Sequence, residues 1–462
     1  MLRFFRVNDP YRLLGVLFIM SMVSLPVLIK SDVITFQELK NVVLGEALND
    51  GKSIYTQVVD DTPWLGAQMA KWTEWMWGRS ITARHVFALL LLFFQAGFFS
   101  SVLIRNKAYN ENNYFPALIF GVLCFFSFDL LSLSDELWAS TFLLFALNNL
   151  FKEIEFKAQH DENILNLGVF LSIASLFVFS TSIFLIGAII ILLIFARVDL
   201  RKSLMLLFGF LFPHLLLLIL YYFKNGLPEL GRLFYKANFT LESVKFVSWQ
   251  SLLWLGSSVI VYFFFSMVML GREARFTRYQ AQLMQVMLIW LVIAAVNVLV
   301  VRELTPHSFV FFLPSLTYFL SHYLLLIRRK WIAEVMLWIF IVSVVGVSTT
   351  ARLNKLDRVD YSRMFVTNKT AISNKRILVL GDNFELYNTN KMSSYFLNWE
   401  RSKEIFELHH YYYDLVLISE SFQKDPPEII VDEQNKMQKI FSRLPSLETK
   451  YKRKGIFYER IN

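Results

Sequence analysis

The chain has 462 residues, of which 55% are hydrophobic and 18% charged, and it contains 46 phenylalanines. A soluble globular chain carries about 25% charged residues, so this composition and a mean hydropathy of +0.46 exclude an ordinary soluble domain and indicate a polytopic membrane protein. The net charge of +9 does not point to nucleic acid: the basic residues sit in short connectors, as the positive-inside rule requires, and no basic–aromatic soluble module accompanies them.

A membrane span needs about 20 mostly apolar residues. Eleven stretches qualify: 12–30, 86–104, 115–133, 137–151, 164–180, 182–196, 203–223, 252–270, 282–301, 308–326 and 331–349. The fourth to sixth are short or closely joined. No small-residue cleavage site follows Leu28-Ile29-Lys30, so the first is expected to stay as a span rather than leave as a signal peptide. The single cysteine, Cys124, falls within a span, which excludes an intramolecular disulfide and a cysteine metal cluster.

Every second connector is basic. Arg3, Arg6 and Arg12 precede the first span, Arg105 and Lys107 follow the second, and Lys152 and Lys157 follow the fourth. Arg197, Arg201 and Lys202 follow the sixth, Arg272, Arg275 and Arg278 the eighth, and Arg328, Arg329 and Lys330 the tenth. This places the N-terminus in the cytoplasm. With an odd number of spans, the C-terminus lies outside. The first loop, 31–84, the 224–251 connector, the turn at Arg302–His307 and the tail then share the external face.

Within the first loop, Phe36, Leu39, Val42, Val43 and Ala47 recur at helical spacing opposite Glu38, Lys40, Asn41 and Asn49. Asn49-Asp50-Gly51 ends that helix. A second segment, Pro63 to Gly78, carries Trp64, Trp72, Trp75 and Trp77, the residue type favoured at a membrane–water boundary. The loop reads as two interfacial helices joined by the acidic turn Asp60-Asp61-Thr62-Pro63.

The organisation expected is a transmembrane domain over 1–350, a polar linker over 351–374 and a small external α/β domain over 375–462. In the last, Arg376–Asp382, Asp414–Ser419 and Glu428–Asp432 read as strands, with helical patterns over 390–408 and 433–443. Leu380-Gly381-Asp382 lacks the spacing of a dinucleotide fingerprint.

Three short segments carry a resemblance. The first loop contains Gln37-Glu38, Leu48-Asn49-Asp50-Gly51, Tyr55 and Asp60-Asp61-Thr62-Pro63-Trp64. Arg302 through Pro314 reads RELTPHSFVFFLP, and the tail contains Asp425-Pro426-Pro427-Glu428-Ile429-Ile430-Val431-Asp432. Together they resemble the GT-C superfamily, integral-membrane glycosyltransferases that use polyprenyl-phosphate sugars. The Phe-rich spans and the Asn8-Asp9-Pro10-Tyr11-Arg12 opening also resemble inner-membrane proteins of Bacteroidetes-type bacteria. The resemblance implies a GT-C-like helical membrane fold in a bacterial inner membrane, with a periplasmic active site and a polyprenyl-phosphate sugar as donor. It departs at Gln37, where the family places its catalytic Asp. A Gln amide accepts no proton at neutral pH.

Glycosyl transfer from a lipid phosphate needs a base, a cation for the leaving phosphate and a dry groove for the lipid. Base candidates are Glu38, at the family-matched site, Asp32, two residues past the first span, and the adjacent Asp60 and Asp61. Against these stand blander readings: Glu38 as a solvated helix-face charge, Asp32 as a helix N-cap, and Asp60 and Asp61 as a solvated turn. Phosphate candidates are Arg302, because Arg binds phosphate bidentately, then His307 and Lys52. An interfacial anchor or a pair with Glu303 would explain Arg302 equally well. Asp135 and Glu136 either line the groove or form a wet turn.

Asp60 and Asp61 could attract a divalent cation, but no second cluster completes such a site, so no metal or cofactor is expected. The bilayer is the expected partner, and the sequence names no protein partner. Two other function classes compete: a non-catalytic envelope scaffold that kept the fold, which Gln37 favours, and a transporter or flippase. No intramembrane carboxylate chain supports the latter.

Overall fold

The computed structural model describes residues 1–462 except 30–33, 155–160, 197, 240–243, 274–275, 354, 367–371 and 462. The chain forms two compact units. A helical unit comprises Met1–Asp32, Ile81–Leu217 and Leu241–Arg363; a mixed unit comprises Val33–Ser80, Leu218–Thr240 and Met364–Asn462. This division differs from the sequence expectation of a loop belonging to the transmembrane domain and a separate tail. The first loop and the tail are parts of one unit, with a third segment added from the 224–251 connector.

The helical unit carries the membrane-spanning character. Seven helices are long and apolar enough to cross a bilayer: Arg12–Ile29, Ile81–Arg105, Phe179–Ala196, Leu200–Phe223, Arg278–Val300, Pro306–Leu326 and Lys330–Arg352. An eighth is a pair, Trp249–Leu255 and Ser257–Arg272, bent by 65°. The protein is therefore a multi-pass α-helical membrane protein.

The count of eleven is not reproduced by these helices. The remaining three stretches form shorter or more charged elements: Phe115–Leu123 followed by a 3-10 turn at Phe128–Leu131, then Asp135–Ile154, then Asp161–Phe177. Asp161–Phe177 packs closely on Leu200–Phe223 through glycine. A Cβ on Gly168 would lie 2.3 Å from the Leu206 carbonyl, and one on Gly209 would lie 2.4 Å from that of Leu165. Small residues allow this backbone approach where no hydrophobic effect drives helices together.

In the mixed unit the two predicted loop helices are present as Phe36–Asn49 and Trp64–Trp77. Leu39, Val42, Val43 and Ala47 are buried, which is the apolar face the spacing predicts. The helices cross at Gly45, where a Cβ would meet the Ala70 carbonyl at 2.4 Å. Gly51, at φ 91°, takes the chain out of the first helix in the left-handed region that glycine tolerates.

The tail builds a five-stranded sheet ordered Lys391–Met392, Arg376–Leu380, Ile429–Asp432, Phe457–Arg460, Tyr451–Lys454. The first three are parallel, with Ile377 opposite Ile429, and the last two form an antiparallel hairpin. Its two-residue turn places Gly455 at φ 68°, as a type II′ turn requires.

One strand assignment is corrected. Asp414–Ser419 lies within a helix, Tyr411–Lys424. Its buried residues Asp414, Ile418, Ser421 and Phe422 recur at intervals of four, three and one, a helical period that the short apolar run Leu415–Ile418 hides. Asp414 fixes the helix start by accepting from the His410 amide at 2.7 Å. The predicted helical patterns shrink to Trp399–Phe406 and Met437–Phe441.

Candidate active site

The candidates nominated by sequence divide between the two units, and Asp32 lies outside the described residues. In the mixed unit Glu38 is buried. Thr35 and Glu38 form a capping box: Glu38 Oε2 accepts from the Thr35 amide at 2.9 Å and its hydroxyl at 3.0 Å, and the Glu38 amide donates to Thr35 Oγ1 at 3.2 Å. Residues 34–36 also pair with the tail, the Phe36 amide donating to the Met364 carbonyl at 2.9 Å and the Val366 amide to the Ile34 carbonyl at 3.0 Å.

Asp60 and Asp61 are buried rather than in a solvated turn, at 0% and 3% exposure. The backbone of this segment joins the tail as a short parallel ladder, the Val59 amide donating to the Tyr395 carbonyl and the Asn398 amide to the Val59 carbonyl. Lys40 Nζ stands 3.4 Å from both carboxylates. Arg401 Nε donates to Asp61 Oδ2 at 2.9 Å, and Asn398 reaches Asp61 at 3.0 Å and Asp60 at 3.3 Å. Burial alone would raise the Asp60 carboxyl; Lys40 and the hydrogen bonds from Thr62 and Asn398 outweigh it and hold it below the usual carboxylate range.

Lys52 enters a second ionic cluster. It donates to Asp425 Oδ2 at 2.5 Å and to the Ser394 carbonyl at 2.8 Å, and Arg376 also binds Asp425. Arg79 donates to Glu46 and to the carbonyls of Tyr387, Asn388 and Asn390. These contacts knit the first loop to the tail.

Arg302 and His307 belong to the helical unit. Arg302 is half-buried immediately before a short strand, Glu303–Leu304, whose partner is Val244–Lys245. His307 is buried in the turn Pro306–Phe312, and its Nε2 lies 2.9 Å from Ser132 Oγ in a hydrogen bond. Around them the structure gathers a buried polar layer. Asp129 accepts from Ser127 Oγ at 2.6 Å. Glu136 is buried in the first turn of Asp135–Ile154, a helix that packs on the turn carrying His307. Arg84 and His85 are buried in the first turn of Ile81–Arg105, which packs on the turn carrying Asp129.

Sequence reading passes over Arg84 and His85 altogether. Their signal is two ionisable residues at the mouth of a span. The Glu136 carboxyl is pushed up to about 7: burial is the main cause, and the neighbouring charge of Glu303 adds to it. Ser134 and the Glu136 amide pull the other way. Among the described residues, no three His, Cys, Asp or Glu side chains converge as a metal site would require.

Beside this layer lies an apolar crevice of about 360 Å³, lined by residues that include Phe126, Leu252, Val292, Phe309 and Phe312. Phe126 immediately precedes Ser127, and Phe309 follows His307 by two residues. The Phe126 and Phe309 rings approach to 6.2 Å. The same two chain segments therefore border the crevice and supply the polar layer.

No family model matches the chain, and no curated protein matches it. Among solved structures, the chain is similar to the apo form of the Archaeoglobus fulgidus oligosaccharyltransferase. The identity is 8%, the match covers 91% of this chain and 69% of that chain, and the TM-score is 0.48.

Proposed function

We propose that the protein is a GT-C-like glycosyltransferase that moves a sugar from a polyprenyl-phosphate donor to an envelope lipid or glycan on the external face of a bacterial inner membrane. The observation that carries this reading is the shared segments of the crevice and the polar layer. A polyprenyl chain is apolar and flexible, and the crevice offers it Leu, Val and Phe side chains. Its phosphate needs a cation and hydrogen-bond donors at one end of that groove. Arg302 stands at the start of the segment that continues through His307 to Phe312. A transporter would instead need a polar path through the helices.

Crossing parity supports an odd number of spans, as in the eleven-span topology, with the two termini on opposite faces. Segments 33–80 and 218–240 fold in one unit, so an even number of crossings separates them. Only three of the long apolar helices lie between them, Ile81–Arg105, Phe179–Ala196 and Leu200–Phe223. An odd number of the three shorter elements must therefore cross as well; one crossing gives nine spans and all three give the eleven read from the sequence.

A second reading, a non-catalytic envelope scaffold, draws on the mixed unit. There Glu38 serves a helix cap, and Asp60 and Asp61 are held by Lys40, Asn398 and Arg401. Native mass spectrometry of the detergent-purified protein with added polyprenyl phosphate separates the two. The glycosyltransferase reading expects one bound polyprenyl phosphate, weakened about tenfold or more by Arg302→Ala, since one charge-assisted contact contributes roughly 1.5–3 kcal/mol. Val292→Trp, which fills the crevice, should weaken it too. Retention of bulk phospholipid only, or of a stoichiometric protein partner, would favour the scaffold.

A further inference from the structure

We propose that a second site, at the other end of the helical unit from His307, holds the phosphoethanolamine head of a phospholipid. It stands independently of the glycosyltransferase reading. His307 and His322 lie at opposite ends of the spanning helix Pro306–Leu326, and a cavity of about 130 Å³ opens at the His322 end. Arg6, Tyr109, Asn110, Glu111 and Phe276 line it together with His322. They come from the segment before the first span and from connectors that follow Ile81–Arg105 and Ser257–Arg272. In the proposed topology that end is cytoplasmic.

The walls are fixed by local bonds. The Leu2 amide donates to Glu334 Oε2 at 2.9 Å, and Leu2 and Phe5 are buried, which holds the short helix just before Arg6. Gln280 Nε2 donates to the Lys107 carbonyl and to Asn110 Oδ1, both at 3.2 Å, so the loop over 107–111 is tied to the start of Arg278–Val300.

His322 shows what the cavity lacks. It is 6% exposed, and the rings of Tyr109, Tyr318 and Phe276 stand 4.4, 4.7 and 5.5 Å from its own. Among the described residues its Nε2 has no partner. The backbone of Ala108 hydrogen-bonds the ring, and the Ala108 amide is already given to the Leu103 carbonyl at 3.0 Å. The partner is therefore the Ala108 carbonyl, which only accepts. Nδ1 thus carries the proton, and the neutral ring presents Nε2 as a bare acceptor. A buried acceptor left unpaired is costly, and this one borders the cavity. A water takes about 30 Å³, so the volume exceeds that of a lone bridging molecule.

The other lining groups specify the ligand. Arg6 Nε and Nη2 donate to Glu111 Oε2 and Oε1 at 2.5 and 2.7 Å. That leaves three of the five guanidinium N–H groups for a phosphate. Asn110 has its oxygen on Gln280, so its NH2 group is left to donate. The bond to Arg6 holds the Glu111 carboxyl below its usual range, so it stays ionised. The cavity thus sets cationic and amide donors beside two acceptors, one of them negative. Phosphoethanolamine answers both: its phosphate oxygens accept from Arg6 and Asn110, and its ammonium donates to Glu111 and to His322 Nε2. A choline head has no N–H, and a glycerol head has no positive charge. Leu325 and Leu326 complete the lining at the end of a spanning helix. That apolar edge suits the glycerol and acyl part of a lipid rather than a soluble ester.

The test is native mass spectrometry of the full-length, detergent-purified protein with phosphatidylethanolamine, phosphatidylcholine and phosphatidylglycerol of identical acyl chains. One phosphatidylethanolamine should be retained about tenfold or more tightly than either of the others, the worth of one charge-assisted contact. Glu111→Gln and His322→Phe should each bring it close to parity with phosphatidylcholine; the second keeps a packed ring and removes the acceptor. Arg6→Ala should weaken retention of all three. A wild-type readout covers variants that fold poorly. In protein with isotope-labelled histidine, one unprotonated ring-nitrogen NMR signal should move on addition of phosphatidylethanolamine and stay in place with phosphatidylcholine. Equal retention of these two lipids by the wild type, or preference for phosphatidylglycerol, would overturn the proposal. Displacement of the lipid by an equal concentration of soluble phosphoethanolamine would overturn its lipid source.

Discussion

Asp60 and Asp61 in the mixed unit and Glu136 in the helical unit are all buried carboxylates, and their neighbours make them opposites. Both aspartates meet Lys40 and Asn398 and Asp61 meets Arg401 as well, and at Asp60 Lys40 and the hydrogen bonds from Thr62 and Asn398 outweigh burial and favour the ionised form. At Glu136 burial opposes ionisation, and the charge of Glu303 adds to it. Burial by itself distinguishes neither role. The balance struck against burial does: at Asp60 a cation and hydrogen-bond donors outweigh it and hold the carboxyl low, whereas at Glu136 burial prevails and the carboxyl is raised.

The sharpest way to break this comparison is to remove a cation from the aspartates. Arg401→Ala leaves Asp61 buried without one of its cations. The mixed unit should lose about 3 kcal/mol, the low end for breaking a buried pair. Hydrogen exchange would show it as faster exchange of the amides of Val59, Thr62 and Asn398, and unchanged protection there would mean the network is not holding the unit.

The converse change should stabilise. The Glu136 carboxyl ordinarily titrates near 4.5 and is raised to about 7 in the fold. The folded state thus binds its proton more tightly than the unfolded chain does. Below pH 4.5 both states are protonated and the group contributes no difference; the cost of folding grows through pH 7 and levels off above it. Glu136→Gln removes that cost, so its stability relative to wild type should rise between pH 5 and pH 8. The gain is roughly 3 kcal/mol at the upper limit, at about 1.4 kcal/mol for each tenfold change in proton affinity. Thermal unfolding of the detergent-solubilised variants at the two pH values checks it, and a pH-independent difference would put Glu136 among the fixed carboxylates.

A smaller effect sharpens the assignment of Glu38. Thr35→Ala removes half of the capping box and should cost about 1 kcal/mol. If Glu38 serves the cap, Glu38→Gln should cost a comparable amount and leave transfer unaffected. A loss of transfer with unchanged stability would return Glu38 to catalysis.

What the sequence made legible follows the range of each interaction. The two loop helices, the strands Arg376–Leu380 and Ile429–Asp432 and the apolar helices are written in local periodicity. The capping box was also local, Thr35 and Glu38 three residues apart, yet Glu38 read as a base candidate or a solvated helix-face charge because nothing nearby in the chain reveals its burial. The ionic partners of the first loop lie hundreds of residues away: Asp61 and Arg401 differ by 340 positions and Lys52 and Asp425 by 373. No local pattern announces such pairs. The same distance hid Glu136: its own surroundings read as groove lining or a wet turn, while the burial that raises its carboxyl comes from packing across the fold and the charge that adds to it, Glu303, lies far along the chain.

The mixed unit's assembly from three separated segments also sets an order of events during synthesis. Its first segment ends at Ser80 and its last begins at Met364. At typical elongation rates, the intervening 283 residues (363 − 81 + 1) take roughly 15 to 60 s to make. For that interval the first loop lacks Arg401, Asn398 and Asp425, and its buried aspartates and Lys52 must remain hydrated. A chain that stalls or inserts one helix wrongly never receives those partners. Closure of the mixed unit is thus a late event that reports completed insertion, and an unclosed first loop is a natural mark by which quality-control proteases could recognise a failed chain.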